Sequence, residues 1–125
     1  MAFRLNALYP KRLAELSNEK KFFLVHFSTD AVFDDHKNDF YVESDTPSPV
    51  NVYGQTKYEG DRFIQQIAER YYIIRLSVLF GETSKQTQFV EKMIQRIQSG
   101  QRILTIADDV IASPSYSLDV ALGIK

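Results

Sequence analysis

The sequence predicts an α/β fold, a parallel sheet with flanking helices. Two apolar runs, KKFFLVHFSTD and YYIIRLSVLFG, are continuous rather than alternating, as in strands buried on both faces. Stretches with apolar residues at helical spacing precede, separate and follow them. Strands that alternate with helices form parallel sheets, and ligands of such sheets bind beyond the carboxyl ends of the strands.

Taken in order, Phe3, Leu5, Leu8, Leu13 and Leu16 recur at roughly helical spacing from Ala2 to about Asn18, with Pro10 as a kink or break. The run Phe22 to Phe27 is the first strand, closed by Ser28-Thr29-Asp30. A loop of about 25 residues follows, containing DDHKNDFYVESDTPSPVN; a connection this long implies a binding or catalytic role, and Pro47 and Pro49 stiffen it. Gln55 to Arg70 reads as a helix, YYIIRLSVLFG as the second strand, and Gln86 to Gln98 as a helix closed by Ser99-Gly100. RILTI at 102–106 is expected to be a third strand, and a further helix begins at Asp119. The expected sheet is therefore three neighbouring parallel strands.

Composition excludes several classes of function. The 125 residues carry 15 basic and 16 acidic side chains, a net charge of -1, with no basic block suited to tracking a phosphate backbone, so no nucleic-acid partner is expected. Without cysteine there is no disulfide, no thiolate catalysis and no cysteine-bound zinc, and His26 and His36 are too few and too isolated for a metal site. His26 lies in an apolar run and reads as structural. No apolar run approaches the ~18 residues of a membrane span, and MAFRLNALYPKR is not a secretory signal. No membrane partner and a cytoplasmic location are the expectation.

Chemistry concentrates in VNVYGQTKYEG, where Tyr53 stands four residues before Lys57. On a helix the two side chains share a face. An ammonium about 5 Å from a phenol, at an effective dielectric constant of about 20, favours the phenolate by about 3 kcal/mol, which suits a proton donor. Seven tyrosines and eight lysines would give roughly 0.4 such pairs by chance, so the pair alone proves nothing and reads first as an exposed lysine beside a half-buried tyrosine.

The ordered series N-A-L-Y-P-x-x-L-A at 6–14, H-F-S-T-D-A-V-F at 26–33, Y-x-E-x-D-x-P-x-P-x-N-x-Y-G-Q-T-K at 41–57 and I-I-R-L-S-V-L-F-G at 73–81 resembles the extended short-chain dehydrogenase/reductase superfamily, and within it the dTDP-4-dehydrorhamnose reductase family. The resemblance covers nearly the whole chain. It implies a partial Rossmann-like sheet and an NADPH-dependent (or NADH-dependent) reduction of a 4-keto group on a dTDP-linked deoxysugar. By the resemblance, Tyr53 is the general acid, Lys57 its partner and a ligand of the nicotinamide ribose, and Thr29 the hydroxyl that holds the substrate carbonyl. Arg75 and Ser77 fall in the segment that passes the nicotinamide. Asp30 either caps the neighbouring loop or touches sugar. Ser113, in D-V-I-A-S-P-S at 109–115, matches a sugar-nucleotide contact segment, and Asn6 matches a helix asparagine with a buried hydrogen-bonding role.

Three positions depart from the reductase pattern: Ala31 replaces an aromatic residue, Val78 a tryptophan and Val110 a glutamine. These would shape a sugar pocket. Two alternatives therefore stand beside the reductase: a non-catalytic NADP-binding regulatory subunit like that of methionine adenosyltransferase, and a sugar-nucleotide epimerase or dehydratase. The five glycines, Gly54, Gly60, Gly81, Gly100 and Gly123, form no G-x-G-x-x-G or G-x-x-G-x-x-G turn for a pyrophosphate. The expectation is that residues 1–125 are the central-to-C-terminal part of a Rossmann-like NAD(P)-binding domain, with a sugar-nucleotide segment starting near 109–125. Such a piece is expected to be inactive by itself and to self-associate through a raw sheet edge.

Overall fold

The computed structural model describes residues 1–81, 89–107 and 111–125. It divides into two compact units, Met1–Leu76 and Ser77–Lys125. The first begins with a turn of π-helix, Arg4–Leu8, that runs directly into α1, Tyr9–Lys20. Pro10 sits in the first turn of α1, where a missing N–H is harmless, so it opens the α-helix instead of kinking one. Lys21 ends α1 in the left-handed conformation at φ 58°, which turns the chain sharply and delays the first strand to β1, Leu24–Thr29.

A single 3₁₀ turn, Asp30–Val32, follows β1. The long loop then organises itself: Phe33 stacks on Tyr41 at 4.1 Å, Lys37 bonds Asp45 at 2.6 Å, and the Ser48 N–H returns to the Val32 carbonyl at 2.9 Å. Helix α2, Val52–Ile67, starts three residues before the expected Gln55, because the Asn51 side chain accepts a 2.8 Å bond from the Gly54 N–H and caps it. Strand β2, Tyr71–Leu76, pairs parallel with β1, Leu24 opposite Tyr71 and Thr29 opposite Leu76. Ala14, Leu24, Ile64 and Ala68 form the core where α1 and α2 pack on this strand pair.

Two glycines let α2 pack this closely. A methyl group on Gly60 would fall well inside contact distance of the Asn6 carbonyl oxygen, and one on Gly54 would do the same at Ala31. Gly60→Ala should gain up to about 1 kcal/mol of helix propensity yet destabilise the unit by about 1–3 kcal/mol through overpacking against rigid backbone. Urea unfolding followed by circular dichroism reads the sign; a stabilised variant would show that the helices are free to separate.

The second unit holds β3, Leu79–Phe80, α3, Phe89–Gln98, β4, Ser115–Tyr116, and α4, Ser117–Gly123. Strands β3 and β4 pair parallel, Leu79 with Ser115 and Phe80 with Tyr116. The expected three-stranded sheet is thus two separate parallel pairs among the described residues. RILTI at 102–106 is not a strand: Ile103 is 81% exposed, and a strand needs a partner, which propensity does not supply. The expected strand at 71–81 ends at Leu76 and resumes as β3 with a different partner. The expected helix start at Gln86, with Thr87 and Gln88, lies outside the described residues, as do Asp109 and Val110 of the sugar-contact segment. No helix among the described residues is long and apolar enough to cross a membrane.

Candidate active site

Helix α2 delivers both halves of the Tyr-Lys pair from its first two turns. Tyr53 lies one residue past the start of the helix and is 53% exposed. Lys57, one turn on, turns inward and donates a 2.5 Å bond from Nζ to the carbonyl of Phe27, near the end of β1. Burial pulls the Lys57 amine below the usual lysine range, and the nearby Asp61 carboxylate opposes that pull. The bond to Phe27 sets the ammonium at the carboxyl end of a parallel strand, two residues before Thr29.

Thr29 is buried, and its hydroxyl already has partners: it donates to Asp30 Oδ1 at 3.1 Å and accepts from the Ala31 N–H at 3.2 Å, capping the 3₁₀ turn. Asp30 itself is exposed. Asn6 donates to Thr56 Oγ1 at 3.0 Å, and Thr56 in turn bonds the Tyr53 carbonyl, so the asparagine braces the first turn of α2. Arg75, on β2, lies with Nε 3.6 Å from Asp61 Oδ2 and its guanidinium over the Phe33 ring at 5.2 Å. Ser77 and Ser113 belong to the second unit, where Ser113 is exposed.

Thr29, Asp30, Tyr53, Lys57 and Arg75 thus share the first unit. A hollow lined by Phe3, Pro49, Gln55, Thr56, Tyr58 and Glu59 touches neither Tyr53 nor Lys57, and we assign it no role in the chemistry.

Sequence reasoning passed over Asp61, beneath the pair, and read its neighbour His26 as structural. Asp61 is fully buried and accepts a 2.8 Å bond from Ser28 Oγ, and its Oδ1 lies 3.6 Å from His26 Nε2. Burial lowers His26 to about 4, with the Lys57 ammonium adding to the effect, so at neutral pH this is a neutral imidazole beside a carboxylate and not an ion pair. At 3.6 Å it is too long for a hydrogen bond. The signal for Asp61 was its place eight residues after Tyr53, on the same helical face.

Residues 1–125 match the RmlD substrate binding domain. A dTDP-4-dehydrorhamnose reductase of Aggregatibacter actinomycetemcomitans is 36% identical over 120 residues, covering 96% of this chain and 40% of its own. Methionine adenosyltransferase 2 subunit beta of Danio rerio is 39% identical over 100 residues, covering 79% of this chain and 31% of that protein. The crystal structure of the Bacillus anthracis dTDP-4-dehydrorhamnose reductase in complex with NADP superposes with a TM-score of 0.85 at 33% identity, over 95% of this chain and 41% of that one. The chain therefore spans about 40% of the length of these reductases. Its parallel pairs and flanking helices are part of a Rossmann-like fold, and the chain belongs to the RmlD substrate binding domain family.

Proposed function

We propose that this chain is the proton-donating part of an NADPH-dependent reductase that acts on the 4-keto group of a dTDP-linked deoxysugar. The observation that supports the reading is the bond from Lys57 Nζ to the Phe27 carbonyl, which brings Lys57 to the carboxyl-terminal half of β1, the strand that ends in Thr29. An ammonium has three donors and the Phe27 carbonyl takes one, so Lys57 is equipped to hold a ribose hydroxyl as well. These residues fit the nicotinamide end of NADPH (or NADH); no glycine-rich turn in the sequence offers a place for its pyrophosphate.

When bound, NADPH supplies the hydride that reaches the sugar's C4. Tyr53 gives its phenolic proton to the carbonyl oxygen, completing the alcohol, and is re-protonated from solvent. Lys57 offsets the negative charge that builds on the Tyr53 oxygen. Thr29 turns its hydroxyl from Asp30 to the same carbonyl oxygen, polarising it and orienting the ring. Arg75 and Ser77, in the segment that passes the nicotinamide, contact the cofactor, and Asp30 and Ser113 contact the sugar nucleotide. Ala31, Val78 and Val110 set which sugar fits.

The Danio rerio relative favours a second reading, a non-catalytic subunit of a methionine adenosyltransferase. It ranks lower because that match covers 79% of this chain against 96% for the reductase. A dehydratase ranks third, since only one acidic residue, Asp30, follows Thr29 directly. The discriminating experiment places residues 1–125 in a chimaera, in exchange for the matching segment of the Aggregatibacter reductase. Oxidation of NADPH that depends on dTDP-4-dehydrorhamnose supports the reductase; a folded, silent chimaera that captures a methionine adenosyltransferase supports the alternative.

The proposal also places the protein in the cytoplasm, and has the chain self-associate through a sheet edge, the β1–β2 pair having no third strand among the described residues. Light scattering should then show dimers or larger species, and a clean monomer would refute that part.

A further inference from the structure

The proposed reaction leaves unused the buried carboxylate beneath its acid. Asp61 follows Lys57 by four residues on α2, so the face that carries Tyr53 and Lys57 continues down to it. Its Oδ2 is held by Ser28 of β1 at 2.8 Å, with Arg75 Nε of β2 3.6 Å away. Its Oδ1, His26 Nε2 and Arg75 Nε are all buried with no hydrogen-bond partner. A packed apolar side chain would fill this place at lower cost than a half-satisfied carboxylate. The charge is therefore the feature that calls for a role.

The ionisable groups that face Asp61 are His26 on β1, Arg75 on β2 and Lys57 on α2. Burial holds His26 at about 4, so at neutral pH it adds no positive charge, and the basic groups set against Asp61 there are Arg75 and Lys57. Burial pushes the Asp61 carboxyl above its usual range, while the Ser28 bond, Arg75 and Lys57 hold it down. Lys57 feels the reverse: burial works against its charge, and Asp61 is the group that supports it.

We propose that Asp61 is a positioning residue of the Tyr53–Lys57 site: its carboxylate is the fixed counter-charge of the Lys57 ammonium, and its Ser28 bond ties α2 to the end of β1 that bears Thr29. The proposal rests on the reductase reading only in giving Lys57 work to do as a cation beside Tyr53. Removing the charge while keeping the shape, in Asp61→Asn, frees Lys57 to lose its proton at lower pH. Removing the tie while keeping the charge, in Ser28→Ala, does not.

The test is acetylation of the 125-residue chain by acetic anhydride, followed lysine by lysine by mass spectrometry across the pH range 7 to 10. In Asp61→Asn, Lys57 at pH 8 should react on the order of five- to tenfold faster, with the other lysines unchanged. In Ser28→Ala its rate should stay within about twofold of the parent, because a neutral hydrogen bond carries little of the field of a full charge. A folded Asp61→Asn with an unchanged Lys57 rate overturns the proposal, as does an equal rise in both variants. Should circular dichroism show Asp61→Asn unfolded, the parent chain decides by carbon NMR of the Asp61 carboxyl: ionised at pH 7 supports the counter-charge, protonated overturns it. Neither readout uses turnover, so a chain that passes while the chimaera reduces nothing keeps Asp61 in this role and loses the reductase.

Discussion

Replacing Tyr53 by phenylalanine in the chimaeric reductase should lower turnover by about 10² to 10⁴, the range over which a positioned general acid accelerates a proton transfer. The ring remains, and with 53% of Tyr53 exposed, loss of the hydroxyl strands no buried partner, so the fold should be untouched. Binding of substrate should change far less than turnover, because the proton moves only in the transition state. Rates at saturating substrate, measured beside circular dichroism of both proteins, check this. Undiminished turnover in Tyr53→Phe would remove the phenol from the mechanism and leave the Tyr-Lys spacing as an accident of composition.

Stability should fall as the pH drops from 6.5 to 4, by up to about 3 kcal/mol, and His26 is the cause. Its imidazole is held at about 4 in the folded chain against an ordinary 6.5, first by burial and then by the Lys57 ammonium. Between those values the unfolded chain binds a proton that the folded one refuses, so the stabilisation is complete above pH 6.5 and is lost as the pH falls toward 4. The gap between about 4 and 6.5, at about 1.36 kcal/mol per pH unit and discounted for the solvent screening of a partly exposed imidazole, sets the ceiling at about 3 kcal/mol. Asp61 works the other way, because its raised carboxyl takes up a proton in the folded state first, which returns part of the loss at the acid end of the window. Urea midpoints at half-unit steps of pH measure the slope. His26→Asn should flatten it; a parent curve already flat from 6.5 to 4 would mean that His26 protonates in place, with Asp61 as its partner.

The sequence carried the first unit well because its signals are local. A continuous apolar run ending in Ser-Thr-Asp is visible without knowing the fold, and so is a tyrosine one turn from a lysine. The capping asparagine at 51, with Gly54 three residues on, was equally visible and would have moved the start of α2 to Val52. Asp61 was harder. Its importance depends on which face of α2 is buried and on Ser28, His26 and Arg75 arriving from two strands, which is tertiary information. The second unit failed for a different reason: β3 and β4 have two residues each, too few for any alternation to register, while RILTI has the composition of a strand and no partner. Ser77 and Ser113 came only from the resemblance, and their proposed contacts depend on residues outside the unit that holds Tyr53.

The central claim is that Tyr53, Lys57 and Thr29 complete a site for reducing a keto sugar, and the transfer of deuterium tests it most directly. The chimaera is given NADPH deuterated at the transferable position together with dTDP-4-dehydrorhamnose, and the product is read by mass spectrometry and proton NMR. The account predicts one deuterium at C4 of the sugar with the parent segment and little or none with Tyr53→Phe over the same time. A folded chimaera that transfers no deuterium, or one that transfers it equally with and without the Tyr53 hydroxyl, would contradict the account.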